Sequence, residues 1–372
     1  MGTSGFTAQA YGARDFTESA LTLSRSLLVG LIGAILILVI QKPIALLSFS
    51  VLHGSPDVEA EAMRYFYIRI WAAPATIALY SFTGWFIGMQ NTRFPMIITV
   101  AVNALNIIFS VFFVQHMNMN SNGVALGTVL AQYSGLLLSI FLYQKYYRRF
   151  NKRWSFAGMV DKEALKKFLF VNKDIFIRTL FLIFAFSFFT AESARMGDEI
   201  LAINTLLMQY FMFFSYLIDG FAYSAEALIG KYTGTCSLVQ LKKSVRILFI
   251  WGLILAVPFT FSYLAGGKFI LELLTNNHNL IKHATPYLFW IALVPMISFP
   301  AFLFDGIFIG ATASKGMRNT MFIATIIFYL PVYYLLRPYL GNHALWFAFI
   351  LFLFSRGILL FSILKKEVYS KC

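Results

Sequence analysis

The chain has 372 residues, of which 59% are hydrophobic and only 12% are charged. Soluble domains carry roughly 25% charged residues, so this composition excludes a soluble globular protein and predicts a polytopic membrane protein. In a soluble chain the net charge of +14 would suggest a nucleic-acid partner. Here Lys and Arg gather in loops between apolar runs, which is the topology signal of membrane proteins. We therefore predict the lipid bilayer as a partner, and no nucleic acid.

The residue sets that cofactors, metals or catalysis require are missing from the sequence pattern. The five histidines include no pair with metal-ligand spacing, and Cys236 and Cys372 fall in segments that we predict to face the cytoplasm. No GxxxxGK loop is present to bind the phosphates of ATP. No set of nucleophile, general base and metal ligands appears within the apolar runs. We predict no cofactor, no metal and no enzymatic activity.

In chain order, the first feature is the small apolar stretch 1–10, which is shorter than the roughly 20 residues that a span needs. It is typical of the end of a helix. Ten predicted spans follow, four before a basic segment and six after it: 21–47, 68–88, 95–115, 124–144, 168–194, 201–228, 245–264, 288–310, 317–336 and 344–364. The predicted fold class is an all-α polytopic membrane protein with ten spans plus a remnant.

The segment between Lys145 and Lys167 is the longest and most basic polar stretch of the chain. We predict that 146–167 is a cytoplasmic linker between an incomplete N-terminal lobe, 1–145, and a C-terminal lobe, 168–372. Basic residues concentrate in alternate loops and in the C-terminal tail, so these face the cytoplasm by the positive-inside rule. The predicted location is the cell inner (plasma) membrane.

Three short strings recur along the chain at nearly one common offset. Gly84-Trp-Phe-Ile-Gly88 returns as Gly306-Ile-Phe-Ile-Gly310, Gly5-Phe6 returns as Gly220-Phe221, and the GVAL beginning at 123 is answered by the NHAL beginning at 342. The two members of each match lie in predicted helices that run in the same direction relative to the membrane. This indicates two homologous helix bundles in parallel orientation. Paired bundles of this kind are a recurrent transporter design.

Two acids, Asp219 and Glu226, stand seven residues apart in an apolar predicted helix. At 100° per residue they lie within about 20° of one face. Ionisable groups in membrane helices are costly and usually face a bundle interior or a watery cavity, so this face is a candidate coupling site. The alternative interpretation is that both acids only neutralise basic partners in packing.

Two arginines and a further acid lie at a similar predicted depth in the C-terminal lobe. Arg178 and Asp219 are each about 15 Å from the cytoplasmic ends of their spans, Arg356 is about 12 Å, and Asp305 is shallower. Unpaired charges at that depth would be costly, which predicts a neutral network. Protonation of Asp219 or Asp305 would then bias the lobe between two packings, with Arg178 and Arg356 as counter-charges. A permanently paired structural clasp is the alternative.

The chain resembles the multidrug and toxic compound extrusion (MATE) transporters, and the DinF-like subgroup within them. The resemblance covers essentially the whole chain and rests on six motifs: FTAQAYGARD (6–15), GWFIGMQNTRFP (84–95), NALNIIFSVFFV (103–114), NGVALGTVLAQY (122–133), DIFIRTL (174–180) and LIDGFAYSAEALIG (217–230). It implies two six-helix lobes that export organic cations or other amphipathic compounds in exchange for H⁺ or Na⁺. By this resemblance the chain lacks the first helix and most of the second.

The departures from the family pattern concern coupling in the N-terminal lobe. The family's first-helix acid, a main candidate for coupling, has no counterpart here, and Ser110 stands where many relatives carry an acid. Asn103, Asn106 and Ser110 share one helix face by their spacing and offer oxygen ligands without charge. Interhelical hydrogen bonding is the alternative role of this face.

We predict a secondary active efflux antiporter, monomeric, that acts on small cationic or amphipathic molecules by rocker-switch alternating access. One alternative is a lipid-linked or polysaccharide flippase of the same superfamily, whose cavity is usually rich in cations. Another is an inactive truncated product.

Overall fold

The computed structural model describes residues 2–51 and 56–372, without the side chains of 48–51 and 56–57. Asp57, which falls in a predicted outward loop, therefore has its side chain outside the described part. The described residues form helices and no strand. They divide into two compact units, Thr3–Leu165 and Lys166–Cys372.

The N-terminal unit is built from eight α-helices, with a π-helical turn at Phe112–His116 and 3₁₀ turns at Ile70–Ala72 and Arg148–Arg153. The helices are α1 (Gly2–Gly12), α2 (Phe16–Val39), α3 (Gln41–Val51), α4 (Pro56–Arg69), α5 (Ala73–Gly88), α6 (Arg93–Val111), α7 (Asn120–Tyr147) and α8 (Phe156–Met159). Asp15 caps the start of α2, where its carboxylate accepts a hydrogen bond from the Glu18 amide at 2.9 Å.

The C-terminal unit contains eight further α-helices, of which α9 begins just before the unit does. They are α9 (Lys162–Arg195), α10 (Asp198–Gly234), α11 (Leu238–Leu274), α12 (His278–Ala284), α13 (Leu288–Gly310), α14 (Ser314–Ile323), α15 (Leu330–Leu340) and α16 (Asn342–Glu367). A π-helical segment, Ala324–Tyr329, joins α14 to α15, and a short 3₁₀ helix, Tyr369–Lys371, follows α16. The unit's core is strongly aromatic and is centred on Phe189, Phe211, Trp346 and Phe349.

Ten helical stretches of the described residues are long and apolar enough to cross a membrane, which confirms the predicted number of spans. Residues 2–10 of the small apolar stretch lie in the short helix α1. The prediction of one continuous span over 21–47 is wrong, because the helix divides at Ile40. Pro43 has no amide hydrogen to donate to the Val39 carbonyl, so the intrahelical bonding is interrupted there.

Each unit contains the same close helix contact at the repeated glycine pair. In the N-terminal unit a Cβ built on Gly88 would lie 2.7 Å from the Ser4 carbonyl oxygen of α1. In the C-terminal unit a Cβ on Gly306 would lie 2.2 Å from the Ala222 carbonyl oxygen of α10, and one on Gly310 would lie 2.7 Å from that of Glu226. Glycine at these positions lets the helix backbones touch.

The segment that we predict as a linker packs against the N-terminal unit. The Arg25 side chain of α2 is 4% exposed and donates from Nε and Nη2 to the Gly158 carbonyl, at 3.2 and 2.9 Å. Its Nη1 donates to Glu18 at 2.5 Å. Nearby, Arg153 donates to Thr17. Most of the linker therefore belongs structurally to the N-terminal unit.

We predict that Gly306→Ala lowers the free energy of unfolding of the C-terminal unit by about 1–3 kcal/mol, because the new methyl group overlaps the Ala222 carbonyl. Thermal melting of the purified protein in detergent, followed by size-exclusion, measures the change. Gly266→Ala in α11 is the matched control, since nothing lies within 4 Å of a Cβ at that position. Equal melting temperatures for the two variants would contradict the backbone contact.

Candidate functional site

The centre of the candidate site is Asp305 of α13, which binds two arginines from different helices. Its Oδ2 accepts hydrogen bonds from Arg178 Nη2 of α9 and from Arg356 Nη2 of α16, the latter at 2.6 Å. Arg178, Asp305 and Arg356 are 5%, 8% and 2% exposed. We call these three residues the ionic cluster. It brings together both predicted counter-charges and one of the predicted coupling acids.

Several polar atoms of the ionic cluster have no hydrogen-bond partner in the described structure. These are Asp305 Oδ1 and the Nε atoms of Arg178 and Arg356, all of them buried. Buried polar groups usually find partners, so three such atoms in one cluster are unusual. They leave an acceptor and two donors for a proton, a water molecule or a solute to engage.

Asp219 of α10 lies beside the ionic cluster without joining its hydrogen bonds. Its side chain is half-buried and within electrostatic range of Asp305, Arg178 and Arg356. Of the two acids to which Arg178 is a predicted counter-charge, it forms its ion pair with Asp305 and not with Asp219. Glu226, seven residues further along α10, is 3% exposed, and its backbone packs against Gly310.

The charges of these groups balance only when Asp219 is included. Two guanidinium groups and the Asp305 carboxylate leave the ionic cluster with one excess positive charge. An ionised Asp219 nearby reduces the net charge to zero, and a protonated Asp219 leaves the excess in place. Gain or loss of one proton by Asp219 therefore changes the net charge of this poorly solvated group of side chains.

Two further buried acids were missed by our sequence analysis. Asp174 accepts hydrogen bonds from Arg318 Nη1 at 2.6 Å and from Ser314 Oγ at 3.1 Å. It lies four residues before Arg178 in α9, and that spacing could have identified it as part of the same charged helix face.

The second missed acid, Glu192, lies near the opposite end of α9 and is 1% exposed. It accepts a hydrogen bond from Tyr333 at 2.7 Å and pairs with Arg195 and Arg337 at 2.5 and 3.4 Å. The Glu192–Arg195 spacing of three residues was the available signal. Both arginines remain substantially exposed, unlike those of the ionic cluster.

The predicted N-terminal polar face is only partly assembled. Asn106 Nδ2 donates to Thr128 Oγ1 at 2.9 Å, which joins α6 to α7. Ser110 Oγ is buried without a hydrogen-bond partner where Gly127 approaches, and Asn103 is exposed. Among the described residues, no group of three or more His, Cys, Asp and Glu could hold a metal ion.

Comparison with known proteins gives consistent matches over nearly all of the chain. The model of the MatE family matches residues 1–112 and 175–335. The DNA damage-inducible protein F of Escherichia coli (strain K12) is 38% identical over 371 residues, which cover 99% of this chain and 80% of that protein. Protein DETOXIFICATION 42 of Arabidopsis thaliana is 24% identical, with 88% of this chain and 62% of that protein covered.

Solved structures show the same fold at lower sequence identity. The Vibrio cholerae MATE transporter VcmN in its bent form superimposes with a TM-score of 0.85 at 17% identity. The match covers all of this chain and 84% of that one.

We predict that Asp305→Asn and Glu192→Gln differ sharply in their effect on stability, although both acids are buried. Asp305→Asn leaves two buried arginines without a carboxylate and should cost about 3–5 kcal/mol. The exposed arginines near Glu192 can be hydrated instead, so Glu192→Gln should cost about 1 kcal/mol. Membrane abundance and thermal melting of the purified proteins measure both effects.

Glu199→Gln is the control for both variants, because Glu199 pairs with His283 at an exposed position and should change stability little. If Asp305→Asn melts at the same temperature as Glu199→Gln, the pairing of Asp305 with the two buried arginines does not stabilise the fold as we predict.

Proposed function

We propose that this chain, which belongs to the MatE family of multidrug and toxin extrusion transporters, exports organic cations or other amphipathic compounds in exchange for H⁺ or Na⁺. Members of this family are transporters and not enzymes. The two units would exchange access by a rocker-switch motion, as in other transporters built from paired bundles. The observation that supports coupling is the ionic cluster of Arg178, Asp305 and Arg356, with Asp219 beside it.

The coupling step would be the protonation of Asp219. Arg178 and Arg356 are both engaged by Asp305, so Asp219 can gain a proton without leaving either arginine unpaired. Protonation removes the attraction between Asp219 and the excess positive charge, and α10 becomes free to adopt a second packing. Asp305 would keep the arginines in place during this change, and Glu226 would extend the acidic face along α10.

Of the two coupling ions, H⁺ is favoured by the charge around these acids. Two guanidinium groups flank Asp305 and repel a metal cation, whereas a proton needs a single carboxylate and no coordination shell. In the N-terminal unit, Asn103, Asn106 and Ser110 would supply polar contacts for substrate or ion without carrying charge.

The proposed setting is the inner (plasma) membrane, with the basic loops and the C-terminus in the cytoplasm and the protein acting as a monomer. The three regions 1–145, 146–167 and 168–372 would serve as first lobe, cytoplasmic linker and second lobe. The charge distribution of the loops supports this orientation.

We predict that Asp219→Asn reaches normal abundance but loses pH-dependent efflux. The stability cost should be small, because the Asp219 side chain forms no hydrogen bond or ion pair with the other described residues. Asparagine keeps the shape of the side chain but cannot be protonated. The measurement is ethidium accumulation, at several external pH values, in a host that lacks its major pumps.

Asp198→Asn in the first turn of the same helix is the matched control, since Asp198 is exposed. The wild type and this control should both lower ethidium accumulation, a proton ionophore should abolish the effect, and Na⁺-free buffer should leave it intact. Unchanged pH dependence in Asp219→Asn would remove Asp219 from the coupling mechanism. Equal ethidium accumulation with and without the wild-type protein would favour the flippase alternative.

We also predict that a topology reporter fused after Lys152 reports the cytoplasm and one fused after Asn120 reports the periplasm. The reason is that Lys152 lies in the most basic segment, whereas Asn120 follows an uncharged loop. Alkaline phosphatase and green fluorescent protein fusions give opposite signals on the two sides. The reverse pattern would overturn the orientation.

A further inference from the structure

An open groove lies at one end of the C-terminal unit, where α11 begins and α16 ends. Its volume is about 360 Å³, and it is lined by Leu238, Lys242, Lys365, Tyr369 and Ser370. None of these residues contacts the ionic cluster. We call this feature the lysine groove.

The lysine groove carries positive charge that nothing in its lining neutralises. Lys242 and Lys365 come from different helices, and both are exposed. Neither forms an ion pair with another described residue, and Lys242 Nζ lies over the Tyr369 ring at 5.7 Å. Glu367 is close in sequence, but its side chain lies near Gly316 of α14. The complementary ligand is therefore an anion.

The wall of the lysine groove is held in place before any ligand binds. Val368, next to Tyr369, is fully buried. On the other side of Ser370, Lys371 Nζ donates to the Ala311 carbonyl at 2.5 Å. Because both flanking residues are anchored, the Tyr369–Ser370 segment keeps its position relative to the end of α13, and little ordering is needed on binding.

The surface next to the lysine groove is apolar. Phe361 lies one turn before Lys365 on the same face of α16 and is 67% exposed, and Ile358 is 50% exposed. Leu238 adds an apolar side chain to the lining itself. A small inorganic anion would make no use of this surface. A molecule with a charged head and long apolar chains would use both parts.

We propose that the lysine groove binds an anionic phospholipid of the surrounding bilayer, with its phosphate between Lys242 and Lys365 and its acyl chains along α16. Basic pockets between membrane helices are suited to anionic headgroups, and each lysine near a membrane surface adds about 1 kcal/mol of attraction. This inference is independent of the transport proposal.

The test is lipid binding by the purified 372-residue chain in a neutral detergent, with native mass spectrometry to count bound lipid and thermal melting to measure stabilisation. The probes are dioctanoyl phosphatidylglycerol and dioctanoyl phosphatidylcholine. The wild type should bind phosphatidylglycerol more tightly than phosphatidylcholine. It should also melt at a higher temperature with phosphatidylglycerol than with phosphatidylcholine. Lys242→Gln with Lys365→Gln should weaken phosphatidylglycerol binding about thirty-fold.

The matched control removes two exposed lysines from a second groove of the same unit. Lys268 and Lys282 line that groove together with Glu272, so its charge is partly neutralised. Lys268→Gln with Lys282→Gln should bind phosphatidylglycerol like the wild type, and the double Lys→Arg variant at 242 and 365 should also retain binding.

Three results would overturn the proposal. The first is phosphatidylglycerol binding that is unchanged in the double Gln variant at 242 and 365, and the second is equal binding of phosphatidylcholine by the wild type. The third is stabilisation by millimolar sodium phosphate equal to that by the lipid, which would identify a site for free phosphate. Elution of each variant at the volume of the wild type verifies that the chain is folded.

Discussion

The C-terminal unit depends on the sharing of one carboxylate oxygen by two buried guanidinium groups. Removing a charge from water costs several kcal/mol, and only close pairing with an opposite charge offsets that cost. Arg178, Asp305 and Arg356 come from three different helices, so their pairing fixes α9, α13 and α16 relative to one another. The same pairing leaves Asp219, on a fourth helix, as the acid that can change its charge without breaking an ion pair.

Different polar groups accompany the repeated glycine contact in the two units. In the N-terminal unit the contact between α1, α2 and α5 is a chain of hydroxyl groups, from Thr3 to Ser26 at 2.7 Å and from Ser26 to Ser81 at 2.8 Å. In the C-terminal unit the corresponding interior contains formal charges. Hydroxyl groups can exchange donors and acceptors at low cost, whereas charges demand a fixed arrangement. The repeated glycine contact is common to both units, and the site chemistry differs.

The fold was largely predictable from the sequence because its main determinant, the apolar run long enough to span a bilayer, is a local property. Ten spans and the acidic face of α10 follow from composition and helical spacing alone. The break near Ile40 could also be explained locally, since it depends on the position of Pro43.

The partners within the site were not predictable in the same way. A rise of 1.5 Å per residue gives the depth of Arg178, Asp219, Asp305 and Arg356, but not the direction in which each side chain points. Depth alone left two acids available to Arg178, and the structure pairs it with Asp305. The hydroxyl partner of Glu192, Tyr333, was unpredictable for a related reason, because it is distant in sequence.

The glycine contact between α10 and α13 has a mechanical consequence. At Gly306 and Gly310 no side chain separates the two backbones, so nothing there can rotate or deform to absorb sliding. Asp219 lies on α10 just before this contact, and Asp305 lies next to Gly306 on α13. The two acids therefore lie on two helices that are in rigid backbone contact with each other. In the proposed change of packing, α10 and α13 would thus move together, and the long arginine side chains would adjust so that both stay paired with Asp305.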